Sequence, residues 1–427
     1  MNRRRIAFVY APALPPDSSR LETMPFAINT IMRLADADWK VDVFLWERPL
    51  VDYHEIFPTT VRLRYQVTPK RIFDGTRPAN LRRHQIRLTA RFMSCTNYEC
   101  AFGLGQTGSY LSAVISLASR CPLVLLNDEF PSWYGTTDTV GTIGAAAAWA
   151  RLRKLPAAKL PSLFVKYFGN IWWAALERWA AKRADVIIVP SADRIPHLAE
   201  ELRLSEPRKR FVEFRNTPKV SRPLEKRDWH ALLGIPSGQR IFVNAGTLGD
   251  WALVPEIISS TVHWPSDAVL LLHSRTPELQ DGYRQQVSHL HVPGKVFWTS
   301  GPLSEKLLNS LVAHCNGSFA LYRDLGPNSL LIGASSGKLM RSVLCGSPVI
   351  ASGFDSLRFV SQEGIGVQVC HPVEIPAAVQ ELTRNERAYR EKCLSFAANE
   401  AMREQQSWDA IVTALSSKID LRKTTHN

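Results

Sequence analysis

No stretch of about 18 uncharged apolar residues occurs in this chain, so the sequence offers no candidate for a membrane-spanning helix. A secretory leader is missing as well: the opening MNRRRIAFVYAP passes from basic residues straight into a strand-like apolar run, without a long apolar stretch and a small-residue cleavage site. The expectation is a soluble, unexported, cytoplasmic protein. Cysteine is scarce. Cys95, Cys100, Cys121, Cys315, Cys345, Cys370 and Cys393 are scattered, and the nearest pair, Cys95 and Cys100, has no second pair at a zinc-ligand spacing. Free thiols in a reducing compartment and no bound metal are expected. No helix-turn-helix, zinc-finger or RNP sequence is present, which argues against a nucleic acid partner. Repeats of 20 to 50 residues are absent, and low complexity is limited to the short run Ala145–Ala148.

What is present is enough chain for two cores. The 427 residues are 45% hydrophobic, and single cores stop growing near about 250–300 residues. The charge is uneven: residues 1–220 hold 32 Lys and Arg against 20 Asp and Glu, so the first half carries nearly all of the net +13. Such asymmetry suits a polyanionic partner, of which an anionic membrane leaflet attracts each nearby Lys or Arg by about 1 kcal/mol.

Apolar runs at Ile6–Tyr10, Val41–Trp46, Leu123–Leu126 and Val186–Val189 are buried-strand candidates, and helical patterns precede the second and fourth. The polar, proline-containing passage Arg215–Arg227 separates them from a second set. These are Arg240–Asn244, Ala268–His273, Lys295–Thr299, Ser318–Tyr322, Pro348–Ala351 and Val367–Val369, with helical patterns such as Ser304–Cys315 and Lys338–Leu344 between them. The alternation predicts an α/β protein of two Rossmann-like doubly wound domains, residues 1–218 and 219–398, followed by a C-terminal helix and polar tail over 399–427.

The most informative passage is Asn328–Ser352, NSLLIGASSGKLMRSVLCGSPVIAS. A polar turn opens a short helix, Gly346 stops it, and Pro348 leads a buried strand. Ser335, Ser336 and Gly337 would present backbone N–H groups at a helix N-terminus, where phosphate binds, and Lys338 adds a point charge. The alternative for these residues alone is an ordinary N-capped helix with a solvated lysine.

The same passage resembles the K-L-x-E-Y-x-x-x-G-x-P-V signature in the donor domain of GT-B glycosyltransferases that use nucleoside diphosphate sugars. Other segments follow in the family's order: Val243–Leu248 (VNAGTL) resembles the first strand and glycine turn of that domain, and Val296–Leu303 (VFWTSGPL) a later strand. Upstream, Glu177–Ser191 (ERWAAKRADVIIVPS) resembles a passage late in the acceptor domain. The resemblance covers about residues 177–370. It implies a GT-B fold with a central cleft, an acceptor-binding first domain and a nucleotide-sugar-binding second domain, the sugar nucleotide being a substrate and no other cofactor being needed. Donor contacts are then expected from Gly246, Thr247, Arg275, Ser335, Ser336, Gly337, Lys338 and Arg341. Where the family carries its E-x7-E pair, this chain has Gly333 and Arg341, and Gly246–Asp250 lacks the family's Arg and Lys. Arg341, Arg275 or Arg323 are the candidates to neutralise phosphate charge instead.

On the acceptor side, Asn127, Asp128 and Glu129 follow the run Leu123–Leu126, which places them at the carboxyl end of a parallel strand where open α/β sheets form crevices. Asp128 or Glu129 could take the proton of an acceptor hydroxyl; the alternative is a loop cap and a solvated glutamate. His54, His84 and His197 are further candidates. Arg151–Trp173 interleaves basic with aromatic residues, a mixture suited to an interfacial segment on an anionic membrane or to packing on the first core. The expected function is sugar transfer from a nucleoside diphosphate donor to a lipid-linked saccharide or a polysaccharide or lipopolysaccharide precursor. A nucleotide-sugar epimerase of the same fold and an inactive donor-binding subunit are the rivals.

Overall fold

The structure is a computed structural model that describes residues 4–10, 25–45, 57–65, 91–94, 97–127, 174–205, 211–246, 248–275 and 277–424. The chain divides into two compact units, Met1–Arg215 with Gln406–Asn427, and Asn216–Gln405.

The first unit is built on a parallel sheet of β1 (Arg5–Tyr10), β2 (Lys40–Leu45), β3 (Val61–Tyr65), β4 (Cys100–Leu104), β5 (Leu123–Leu126), β6 (Val186–Val189) and β7 (Phe211–Glu213). Their order is β3-β2-β1-β4-β5-β6-β7. Central strands are buried on both faces, because helices cover both sides of a parallel sheet; hence continuous apolar runs such as Ile6–Tyr10. Asp42 on β2 is the polar exception. It is 4% exposed, and its carboxylate accepts hydrogen bonds from Arg5 Nη2 at 2.6 Å and the Tyr98 hydroxyl at 2.8 Å, which offsets the burial of its charge. Helix α1 (Pro25–Asp36) buries Phe26, Ile31 and Leu34 against the sheet, and α2 (Gln106–Ser119) follows β4. Gly103 lets α2 come close: a Cβ there would stand 2.8 Å from the Gly108 carbonyl oxygen and collide with Ser112 Oγ. The last part of the C-terminal helix α5 (Glu386–Thr424) puts Trp408, Ile411, Leu415 and Ile419 into this core, a helical stripe with one buried face.

The second unit has a six-stranded parallel sheet of β8 (Arg240–Ala245), β9 (Ala268–Ser274), β10 (Val296–Ser300), β11 (Gly317–Ala320), β12 (Val349–Ser352) and β13 (Gly366–Val369). Their order is β10-β9-β8-β11-β12-β13. Every residue of β9 is buried. Helices α3 (Glu305–His314) and α4 (Gly337–Leu344) are N-capped by Ser304 and Ser336, each accepting a 3.3 Å bond from the third amide beyond it. Both units are thus doubly wound α/β. In each the strand order reverses beside the first strand, between β1 and β4 and between β8 and β11, the topological switch points where such sheets bind ligands at their carboxyl ends.

Among the described residues no helix is long and apolar enough to cross a membrane. The basic aromatic segment 151–173 lies outside the described residues.

Candidate functional site

The switch point of the second unit lies between the carboxyl ends of β8 and β11. Beyond β8 the chain turns at Gly246, whose φ of 137° suits glycine and whose amide bonds to the His273 carbonyl at 3.0 Å. Asp250 follows, with Oδ1 accepting from the Tyr283 hydroxyl at 2.9 Å and its carbonyl accepting from Arg323 Nε at 2.9 Å. The neighbouring Trp251 carbonyl accepts from the Arg323 amide at 2.8 Å, and the Arg323 guanidinium is paired with Glu256. These bonds pin the backbone of the turn and present the Trp251 indole.

Beyond β11, Tyr322 is buried. Its amide donates to Ser352 Oγ at 2.7 Å, and its hydroxyl shares a 2.5 Å hydrogen bond with Ser336 Oγ. Ser336 thus caps α4 and anchors the tyrosine together. The two rings from the two strand ends stack, with centroids 5.9 Å apart and planes 20° off parallel.

Lys338, in the first turn of α4, completes the cluster. Its stem is partly exposed, but Nζ is buried and has no hydrogen-bond partner. The ammonium lies 4.5 Å from the Tyr322 ring centroid and 5.6 Å from that of Trp251. Burial pushes its pKa down to about 7. The solvated lysine considered from sequence is therefore corrected: the nitrogen is buried beside two aromatic rings. The amides of Gly337 and Lys338 lie ahead of the helix's first hydrogen bond, from Met340 to Ser336.

The other sequence-predicted donor residues gather elsewhere or stand apart. Arg341 and Arg275 converge on Glu305, each at 2.7 Å, and Arg341 also donates to Asn309 Oδ1 at 2.5 Å. Burial would raise the Glu305 pKa, but the two guanidiniums outweigh it and hold the carboxylate below its usual range. Arg341 is only 6% exposed and is committed to this cluster. Ser335 Oγ donates to the Ile332 carbonyl, and its own carbonyl accepts from Asn216 Nδ2 at 3.0 Å. Thr247, Asp128, Glu129, His54 and His84 lie outside the described residues. Asn127 follows β5, with its amide on the Ile188 carbonyl and its side chain donating to Glu177 at 3.2 Å. His197 lies in the helix Ile195–Glu201 of the first unit. Among the described residues no three His, Cys, Asp or Glu gather as a metal site.

Sequence reasoning missed Trp251 and the part played by Tyr322. Each is an aromatic residue just beyond a strand that flanks the switch point, a signal that needs the strand order to be recognised.

His273, near the end of β9, is 1% exposed, and burial, helped by the Arg275 cation, pushes its imidazole from 6.5 down to about 4. In the unfolded chain the imidazole takes up a proton as pH drops through 6.5, while the folded chain resists until about 4. The contribution of His273 to the stability of the second unit is therefore fully present above 6.5 and declines below it, by about 3 kcal/mol at pH 4. Melting temperatures followed across this range should fall, and fall less in His273→Asn.

No family model matches the chain, and no curated protein matches its sequence. Solved structures do match its fold. Alr3699/HepE of Anabaena, solved in complex with UDP-glucose, is 14% identical with a TM-score of 0.64, the match covering 96% of this chain and 99% of that one. The trehalose 6-phosphate synthase of Burkholderia multivorans is 10% identical with a TM-score of 0.61, over 100% and 98% of the two chains. WaaG, a glycosyltransferase involved in lipopolysaccharide biosynthesis, is 15% identical with a TM-score of 0.56, over 92% and 95%. At these identities the likeness defines the fold alone: two parallel-sheet α/β units of the GT-B type.

Proposed function

We propose that this chain is a glycosyltransferase that moves a sugar from a nucleoside diphosphate donor, held by the second unit, to a saccharide or lipid-linked acceptor held by the first. The observation that carries the reading is the buried, unpartnered ammonium of Lys338 at the start of α4, beside the β8/β11 switch point. A buried cation without a partner is costly, and a helix N-terminus favours an anion. A diphosphate supplies both the charge and the acceptors. As the sugar leaves, the same groups would stabilise the charge developing on the diphosphate. The UDP-glucose and UDP complexes of HepE make uridine diphosphate the first nucleotide to test. The basic first half of the chain, with the lipopolysaccharide role of WaaG, favours an anionic or lipid-linked precursor as acceptor.

A second reading, a donor-binding subunit without turnover, is favoured by one observation: the position of a family glutamate is taken by Arg341, held by Glu305 and Asn309. A thermal-shift series with nucleoside diphosphates, followed by turnover of the matching sugar nucleotide with an acceptor, separates the two. A nucleotide at about 100 times its dissociation constant should stabilise the protein by about 2.7 kcal/mol. If none stabilises it and no sugar nucleotide is consumed, both readings fail; stabilisation without turnover leaves the binding subunit.

A further inference from the structure

The diphosphate reading of Lys338 leaves a steric question, because an anion must reach a nitrogen that solvent does not touch. The ammonium and the two ring centroids close a triangle with sides of 4.5, 5.6 and 5.9 Å, so Nζ lies beside the stack against both rings. Aromatic faces attract a cation but accept no full hydrogen bond from it. For a phosphate oxygen to come within hydrogen-bond distance of Nζ, the lysine has to swing out or a side chain that covers it has to move.

Tyr322 is fixed. It is 5% exposed, bonded through its amide to Ser352 and through its hydroxyl to Ser336. Trp251 is different: it is 40% exposed, its backbone is pinned by Arg323, and its ring rests on Tyr322 and the ammonium. The room for that resting position comes from Gly249, where a Cβ would stand 2.8 Å from the indole. We infer that Trp251 is a gate on Lys338: an incoming diphosphate displaces the indole from Tyr322 and takes its place beside the ammonium.

The charged groups around Lys338 leave that place to the ligand. On its own helix Arg341 is turned to Glu305; beyond β11 Arg323 is paired with Glu256; on the turn after β8 Asp250 is held by Tyr283. None of them hydrogen-bonds Nζ. Burial, to which the Trp251 ring contributes one side, keeps water from the nitrogen and pushes its pKa down to about 7, and an anion needs the protonated form. Donor affinity should therefore fall with rising pH, approaching tenfold per pH unit above about 7, whereas a lysine opened to water keeps its charge to about 10.

The test uses the full chain labelled with fluorotryptophan, titrated with UDP and followed by fluorine NMR, with Trp251→Phe assigning the Trp251 resonance among the 12 tryptophans. Calorimetry with UDP from about pH 7.5 to 9 is run on wild type, Trp251→Ala and Trp251→Phe, the last keeping a stacking ring should the alanine variant misfold. The gate predicts that UDP shifts the Trp251 resonance and that Trp251→Ala flattens the pH dependence, with Trp251→Phe staying closer to wild type. UDP binding with an unmoved Trp251 resonance and equal pH slopes overturns the gate and leaves the nucleotide reading standing. If no nucleoside diphosphate binds the wild type, the diphosphate reading fails and the gate with it.

Discussion

Replacing Lys338 with alanine is expected to weaken nucleoside diphosphate binding by about 10- to 100-fold, the loss of a charge-assisted contact worth about 1.5–3 kcal/mol. Stability should move the other way or not at all. In the ligand-free protein the ammonium is buried against two rings with no hydrogen-bond partner, so removing it relieves a desolvation cost. Lys338→Met separates charge from packing, since it keeps most of the stem that fills the site and deletes the charge. Calorimetry against UDP and a melting curve on the same samples check both halves. Affinity should drop in both variants while the melting temperature holds or rises. Unchanged affinity in both would remove Lys338 from the donor site; a large fall in melting temperature would mark it as a structural residue instead.

Most of the strand framework could be read from continuous apolar runs, because a parallel sheet covered on both faces leaves no polar alternation to confuse the pattern. The strands that escaped have specific reasons. β4, central in the first unit, reads CAFGL, and its glycine breaks the run where α2 demands close approach. β3, VRLRY, alternates arginine with apolar residues at the sheet edge, and β7 has only three residues. The stripe Trp408, Ile411, Leu415 and Ile419 marks a buried helix face, yet periodicity says nothing about which core receives it; it joins that of the first unit.

The site divides along the same line. Ser336 and Lys338 are local features, set by a cap and a first helical turn, and a sequence window holds them. Trp251 and Tyr322 belong to one site only because β8 and β11 are neighbours, a pairing between segments about 75 residues apart that no local pattern encodes. The arginines show the converse. Their charge suggested phosphate, but the positions of Arg275 and Arg341 are set by Glu305, the acidic residue in the first turn of α3, where a helix N-terminus favours a carboxylate. A cation in the right segment is a phosphate ligand only if no carboxylate of the same protein claims it first, and Lys338 is the one of these three cations that keeps no acid within bonding distance.

Exchanging Asp128 for Asn and Glu129 for Gln, one at a time, is expected to cost one of the two variants about 10² or more in turnover, within the range of general-base catalysis. Both residues come just after Asn127, the first residue beyond β5, and Asn127 is firmly held: it is 6% exposed, tied by its amide to Ile188 and by its side chain to the buried Glu177. The chain thus leaves the sheet from a fixed point at a carboxyl strand end, the edge from which side chains of such sheets reach a substrate. Asn and Gln keep the shape and remove the charge, so a residue that merely caps a loop should tolerate the exchange. The acting carboxylate should lose turnover while UDP affinity and melting temperature stay close to wild type, and its partner should lose much less. Near wild-type turnover in both variants would move the base elsewhere, with His54 and His84 next to be tested, or leave the donor phosphate itself to take the proton.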